Sequence, residues 1–153
     1  MPPLSMMIKP ASSACDLRCR YCFYSDVTSH REQAFCGMMT PQTMRALVRR
    51  AFIYADDSIT FAFQGGEPTL AGLEFYETFV SLVKEYNVRG LSVSYALQTN
   101  ACHLSDALCA LFAKYRFLIG VSLDGDRETH DAARVDAKGM GSYDRVLAGI
   151  ALL

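Results

Sequence analysis

Two kinds of hydrophobic pattern alternate along this chain, and the alternation limits the folds that it can adopt. Short runs rich in β-branched and aromatic residues predict four strands, over residues 6–8, 58–64, 91–97 and 117–123. Apolar residues spaced three and four apart predict a helix over 73–86 and helices that begin after the capping residues Thr40, Ser105 and Ser142. The stretch 11–39 is predicted to be a loop that can include a short helix. The order βαβαβαβα favours an α/β fold with parallel strands and helices packed outside them.

The number of units and the end of the chain indicate part of a larger barrel. Four βα units are half of the eight that usually close a TIM-type barrel. The last helical pattern runs to Leu153 without a glycine, basic or polar stop signal. We therefore expect residues 1–153 to be the N-terminal part of one domain, the first four βα units of a partial TIM-type barrel.

Composition excludes several classes of protein. The chain has 153 residues, of which 51% are hydrophobic, and a formal net charge of −1, which argues against disorder. A chain without a basic excess gives no electrostatic reason to expect nucleic acid as a partner. No apolar run approaches the length of a membrane span, and the N-terminus lacks the features of a signal peptide. We expect a cytoplasmic protein with neither nucleic acid nor membrane as a partner.

The cysteines are unusually close together for a cytoplasmic chain, where disulfides are rare. Cys15, Cys19 and Cys22 form a C-x3-C-x2-C motif. A structural zinc site would need a fourth ligand, for which His30 and Cys36 are the nearest candidates. A [4Fe–4S] cluster is usually held by four cysteines, so three would leave one iron open to a small molecule. The residues favour an iron–sulfur cluster, with zinc and unmetallated thiols as the alternatives.

Polar or glycine-rich residues follow each predicted strand. In a parallel sheet these segments emerge at one edge, where α/β proteins place their sites. They are the cysteine motif, Gln64-Gly65-Gly66-Glu67, Gln98-Thr99-Asn100 and Ser122-Leu123-Asp124-Gly125. The glycine pair permits positive φ and a close backbone approach to a ligand, although a plain turn would use the same residues. Their convergence predicts a binding site.

Two motifs together resemble the radical S-adenosylmethionine (SAM) superfamily. They are C-x3-C-x2-C with an aromatic residue before the last cysteine, and Gly-Gly-Glu-Pro at residues 65–68. The wider stretches 8–13, 22–24, 61–75 and 97–100 are similar to anaerobic sulfatase-maturating enzymes. The resemblance runs over residues 1–153 but covers only the N-terminal part of such an enzyme.

The resemblance implies a role for particular residues. Cys15, Cys19 and Cys22 would ligate three irons of a [4Fe–4S] cluster, and SAM would complete the fourth iron. The residues implied to bind SAM are Tyr21, Gly65, Gly66, Glu67, Ser122 and Arg134. Within that group, the Gly65-Gly66-Glu67 motif would receive the methionine ammonium. The residues implied to line the substrate side are Tyr24, Gln64 and Gln98.

The implied reaction converts a cysteine or serine of a sulfatase polypeptide to Cα-formylglycine through a 5′-deoxyadenosyl radical. An electron donor such as flavodoxin or ferredoxin would supply the reducing power. The family's general base and auxiliary clusters would lie in a cysteine-rich extension beyond Leu153, so residues 1–153 alone are expected to be inactive. The alternative functions are a radical SAM maturase that forms thioethers or crosslinks in another peptide, and a zinc-binding interaction module.

Other positions either depart from the family pattern or are expected to be bystanders. Ala101 and Asp126 stand where family members usually have glycine and proline, which puts the geometry of two loops in doubt. Cys36 and Cys102 are expected to be inert thiols, and Cys109 a small core residue. The histidines are expected to have ordinary surface or turn roles: His30, His103 and His130.

Overall fold

The strands form one parallel sheet. The computed structural model describes residues 3–153; Met1 and Pro2, the first residues of the domain predicted over 1–153, lie outside the described residues. The sheet has the order β1-β2-β3-β4. Its strands are β1 (Leu4–Ile8), β2 (Ser58–Phe63), β3 (Ser92–Thr99) and β4 (Leu118–Val121). The predicted α/β architecture is therefore confirmed for these four units.

The helices lie between and after the strands. They are α1 (Phe23–Ser29), α2 (Pro41–Tyr54), α3 (Leu73–Tyr86), α4 (Asp106–Lys114), α5 (Arg127–Ala133) and α6 (Tyr143–Ile150). Two of the predicted capping residues act as such, because each hydroxyl accepts a hydrogen bond from the first turn. Thr40 Oγ1 accepts from Thr43 N at 3.2 Å, and Ser105 Oγ accepts from Leu108 N at 3.3 Å. No helix within residues 3–153 is long and apolar enough to cross a membrane.

An aromatic core joins the helices to one face of the sheet. Phe61 and Phe63 on β2 are buried and lie with ring centroids 5.0 and 4.9 Å from that of Phe79 on α3. Phe117 stacks on Tyr95 of β3 at 4.7 Å. Such contacts add edge-to-face and offset-stacking energy to the burial of large apolar surfaces. The packing holds the strands rigidly, so the loops at their carboxyl ends have a fixed base.

Several elements differ from the prediction. β4 is shorter than the predicted strand over 117–123, because Phe117 N donates to Phe112 O at the end of α4 and the strand ends at Val121. The sequence patterns did not predict α5 or the 3₁₀ turn Pro68–Ala71. Asp126 caps α5, since its Oδ1 accepts from Thr129 N at 2.9 Å, which explains a non-proline residue there. Ala101 adopts a φ of +61°, a conformation that glycine takes more easily.

Candidate cofactor site

A cavity of about 330 Å³ opens at the carboxyl edge of the sheet. Its lining includes all the residues predicted for the site: Cys15, Cys19, Cys22, Tyr21, Tyr24, Gln64, Gly65, Gly66, Glu67, Gln98, Ser122 and Arg134. It also includes residues to which the sequence analysis gave no role: Leu17, Phe23, Thr99 and Asn100. The predicted convergence of the strand ends is therefore present in the fold.

Backbone hydrogen bonds hold the cysteine motif from two sides. On one side, Arg18 N and Arg20 N donate to Val135 O at 2.6 Å and Ala133 O at 2.9 Å. On the other side, Glu67 N donates to Ala14 O at 2.7 Å. The loop is therefore fixed both to the glycine-rich turn after β2 and to the segment that contains Arg134.

Gly66 lets these two loops approach each other. Its φ is +57°, and a Cβ added there would lie 2.3 Å from Ala14 O, the carbonyl that precedes Cys15. A side chain at residue 66 would be strained by its own backbone and would also push the cysteine motif away. Gly66 therefore does more than permit a turn, because it also lets the turn contact the cysteine motif.

Gly66→Ala is expected to displace the cysteine motif and reduce iron binding by the full-length protein. Positive φ alone costs on the order of 1–3 kcal/mol, and the contact with Ala14 O adds to it. Iron content after anaerobic reconstitution and the thermal midpoint measure the effect. Gly90→Ala is the matched control, because Gly90 has a φ of +67° and open space around its Cβ position. Equal iron contents in the two variants would contradict this role for Gly66.

The thiols of the cysteine motif are the donor set at this cavity, and thiolates are the usual ligands of an iron–sulfur cluster. In a cubane each cysteine binds a different iron, so the sulfurs need only surround a common volume. Cys15, Cys19 and Cys22 do so at the cavity wall. Burial raises the pKa of Cys15 to about 12 and also raises that of Cys19, so metal must displace their protons.

Glu67 ties two strand ends together. Its side chain is 1% exposed. Oε1 accepts from Thr69 N at 3.0 Å and from the Thr69 and Thr99 hydroxyls at 2.7 Å, and Oε2 accepts from Asn100 N at 2.7 Å. A carboxylate has about four acceptor positions, so the protein's own donors occupy nearly all of them. The carboxylate therefore has a structural role beyond the ammonium contact implied by the resemblance.

Asn100 links the end of β3 to the cysteine motif. Its Nδ2 donates to Asp16 Oδ1 at 2.7 Å and lies 3.9 Å from Cys15 Sγ. Asn100 was expected among the polar strand ends but without a role of its own. The feature that points to Asn100 in the sequence is its position directly after Thr99, the last residue of β3.

Arg134 is held by Asp124 and Tyr21. Its Nε lies 3.0 Å from Asp124 Oδ2, and its guanidinium lies 5.3 Å from the Tyr21 ring centroid. The Tyr21 hydroxyl donates to Asp124 Oδ2, and burial together with this bond raises the pKa of Tyr21 to about 12. Burial acts to raise the pKa of Asp124, but the bonds from Tyr21 and Arg134 outweigh it and lower that pKa.

Gln98 lies across β4 because Gly120 has no side chain. Gln98 Nε2 donates to Ser122 Oγ at 3.0 Å. A Cβ at residue 120 would lie 2.3 Å from Gln98 Oε1. Gly120 therefore shapes the site, and the sequence patterns did not predict this because only the pairing of β3 with β4 brings it beside Gln98.

The expected bystanders are mostly where the sequence placed them. Cys36 is exposed and Cys102 half-buried. Cys109 is also half-buried and not in the core, because α4 buries Leu108, Leu111 and Phe112 instead. His30 and His103 are exposed. The expectation for His130 was wrong: its exposed fraction is 0%, and its ring makes hydrogen bonds inside the fold.

Comparison with known proteins gives one consistent result. Residues 10–153 match the family profile described as the Radical SAM superfamily. The chain is 47% identical over 153 residues to the cysteine-type anaerobic sulfatase-maturating enzyme of Clostridium novyi, covering 100% of this chain and 41% of that protein. It is 37% identical over 155 residues to the serine-type enzyme of Klebsiella aerogenes, covering 99% of this chain and 37% of that protein.

A solved structure has the same fold over the whole chain. It is described as native anSMEcpe with bound AdoMet and Cp18Cys peptide, with a TM-score of 0.91 and 38% identity. The alignment covers 99% of this chain and 40% of that one. The chain thus spans about 40% of the length of the relatives that it matches. These findings favour neither a zinc-binding module nor a maturase of other peptides.

Proposed function

Since this chain belongs to the radical SAM superfamily, we propose that it is the cofactor-binding part of an anaerobic sulfatase-maturating enzyme. The reaction would convert a cysteine or serine of a sulfatase polypeptide to Cα-formylglycine. The observation that supports this most directly is the single cavity lined by the three motif cysteines, Gly65-Gly66-Glu67 and Arg134. Maturases of both substrate types are similar to the chain over nearly its whole length.

A [4Fe–4S] cluster and SAM are the cofactors of this superfamily. In this chain Cys15, Cys19 and Cys22 would hold the cluster. When bound and reduced, the cluster supplies the electron that cleaves SAM to methionine and a 5′-deoxyadenosyl radical. The protein's contribution is to bind, orient and exclude water.

The chain's own groups fit the polar parts of SAM. Arg134 lines the cavity, and its planar guanidinium is suited to a carboxylate or to ribose oxygens. Ser122 Oγ lies at the same wall, held by Gln98. Gly65 and Gly66 bring backbone close to the cavity, where carbonyl oxygens can accept from an ammonium group. Tyr21 contributes the backbone beside the adenine, as the resemblance implies.

Tyr24, Gln64 and Gln98 are proposed to line the substrate side. Lys9 Nζ lies 4.3 Å from the Tyr24 ring centroid, which helps to fix that ring. Gln64 N donates to Ile8 O at 2.9 Å, so its backbone is held at the end of β1. Gln64 and Gln98 thus lie at strand ends and Tyr24 lies in α1, and all three line the cavity.

The rest of the enzyme is also part of the proposal. We expect further βα units and a cysteine-rich extension to supply the general base and auxiliary clusters. Flavodoxin or ferredoxin is proposed as the electron donor. A cytoplasmic location is proposed because an oxygen-labile cluster needs reducing surroundings.

The full-length protein, reconstituted anaerobically and supplied with SAM and dithionite, is expected to form an aldehyde in a synthetic sulfatase-motif peptide. Mass spectrometry detects formylglycine at the target cysteine or serine, and a peptide with alanine there is the control. 5′-Deoxyadenosine formed without any change at the target residue would contradict sulfatase maturation. Residues 1–153 alone are expected to show no turnover.

A further inference from the structure

His130 is a buried imidazole for which the proposed reaction has no use. It lies on the short helix α5 with an exposed fraction of 0%. Its ring packs edge-on against Tyr143 at 5.6 Å between centroids. A buried polar ring needs partners for both nitrogens, and the partners define its protonation state.

The hydrogen bonds of His130 determine one tautomer. Asp124 N lies 3.3 Å from Nδ1, and a backbone amide can only donate, so Nδ1 is the acceptor. Ser142 Oγ lies 2.9 Å from Nε2 and donates its own proton to Arg134 O at 2.7 Å. Nε2 must therefore carry the proton that Ser142 accepts. Burial, followed by the nearby charge of Arg134, lowers the pKa of His130, which keeps the ring neutral.

The hydrogen bonds on both sides of the His130 ring lead to the Arg134 guanidinium, which faces the cofactor cavity. One side holds the backbone of Asp124, whose carboxylate accepts from Tyr21 and pairs with Arg134. The other side holds the carbonyl of Arg134 itself. Arg134 Nη1 in turn lies 3.9 Å from Cys19 Sγ. A single ring thus connects the two residues whose relative position fixes the guanidinium.

Ser142 supports this interpretation. The sequence predicted it as the cap of α6, yet its side chain makes no capping bond there. Its hydroxyl is instead used by His130 and Arg134, and the residue is 1% exposed. The Ser142 hydroxyl therefore does not cap α6 but bonds to His130 and to the carbonyl of Arg134, a residue that lines the cofactor cavity.

We propose that His130 is a positioning residue, a neutral imidazole protonated on Nε2 that fixes Asp124 and Arg134 for SAM binding. This inference rests on the proposed function, because SAM is the ligand that Arg134 would contact. A merely structural role for His130 would affect stability but not the affinity for SAM.

The test compares the Kd for SAM among variants of the reconstituted full-length protein. The Kd is measured from the change that SAM causes in the EPR spectrum of the reduced cluster. His130→Ala is expected to raise the Kd for SAM about ten-fold, since buried hydrogen bonds at both nitrogens are lost. His130→Gln can place an amide N–H near the Nε2 position, donate to Ser142 and recover much of that loss. At saturating SAM, the rate of 5′-deoxyadenosine formation is expected to return towards wild type.

Val146→Ala is the matched control, because Val146 is a fully buried residue of α6 outside the bonded group. It is expected to lower the thermal midpoint without changing the Kd for SAM. Ser142→Ala provides a second test if His130→Ala fails to fold, and is expected to raise the Kd about five-fold. An unchanged Kd in Ser142→Ala, or equal Kd values for His130→Ala and Val146→Ala, would overturn the proposal.

Nitrogen NMR of the wild-type protein separates the two proposals. Protonated Nε2 and unprotonated Nδ1 at His130 are expected with or without SAM, and the opposite tautomer would overturn the positioning role. If the wild-type protein had the tautomer protonated on Nε2 but bound no SAM, the proposed function would fail, and the role of His130 in SAM binding would fail with it.

Discussion

Replacing Cys15, Cys19 or Cys22 with alanine, one at a time, is expected to abolish SAM cleavage. Each variant would leave two thiolates where the cluster already has only three protein ligands. Iron content of the reconstituted full-length protein is expected to fall by about four atoms per chain. Because auxiliary clusters elsewhere would still hold iron, 5′-deoxyadenosine formation is the decisive measurement, and it is expected to be undetectable.

The same chain provides matched controls for cysteine replacement. Alanine at Cys36, Cys102 or Cys109 removes a thiol that lies outside the cavity lining. These variants are expected to keep the iron content and the rate of SAM cleavage of the parent protein. Cys102 is the strictest of them, because its backbone N donates to Asn100 Oδ1 beside the cysteine motif. Loss of the cluster in Cys102→Ala would show that the assignment of ligands is incomplete.

Local signals in the sequence were sufficient for the main elements. The Thr40 and Ser105 hydroxyls cap α2 and α4, and the apolar spacing gives α3 its full range. The segments that follow the strands were expected to share one site because strand ends of a parallel sheet must meet at one edge. Each of these inferences uses neighbours in sequence or a rule of topology, and both are visible without a structure.

The partners of the buried polar groups could not be predicted in this way. His130 lies in a helix too short for a periodic pattern, and its acceptor Ser142 has the sequence position of a helix cap. Glu67 receives hydrogen bonds from Thr99 and Asn100, more than thirty residues away. Such pairings depend on which loops the fold brings together, and no propensity or spacing records them.

Glu67→Gln is expected to destabilise the full-length protein even when SAM is absent. The carboxylate accepts from three donors at Oε1 and from one at Oε2. A glutamine has one acceptor oxygen, so its NH₂ group must face at least one buried N–H or O–H donor in either orientation. Losing a hydrogen bond to a charged group costs about 1.5–3 kcal/mol, and the unpaired donor adds to this. A thermal midpoint lower by about 5 °C or more is expected.

Two further variants calibrate this result. Glu77→Gln makes the same chemical change on the exposed surface of α3, where a substitution is expected to alter stability by less than about 0.5 kcal/mol. Thr99→Val removes one of the donors to Oε1 and also the acceptor of Ala101 N, and it is expected to cost about 1.5 kcal/mol. In thermal unfolding measured without SAM, Glu67→Gln is expected to lower the midpoint most, Thr99→Val less and Glu77→Gln least. This order is expected for a carboxylate that holds the strand ends together.

Glu67→Gln also distinguishes two roles for the Glu67 carboxylate. If the carboxylate served only to bind the methionine ammonium, Glu67→Gln would weaken SAM binding and leave the midpoint without SAM unchanged. The four hydrogen bonds instead predict a loss of stability first, with weaker SAM binding as its consequence, because this side chain joins the turn after β2 to the end of β3. Backbone carbonyls of the glycine pair would then be the main acceptors for the ammonium. A midpoint equal to that of Glu77→Gln would contradict the structural role of Glu67.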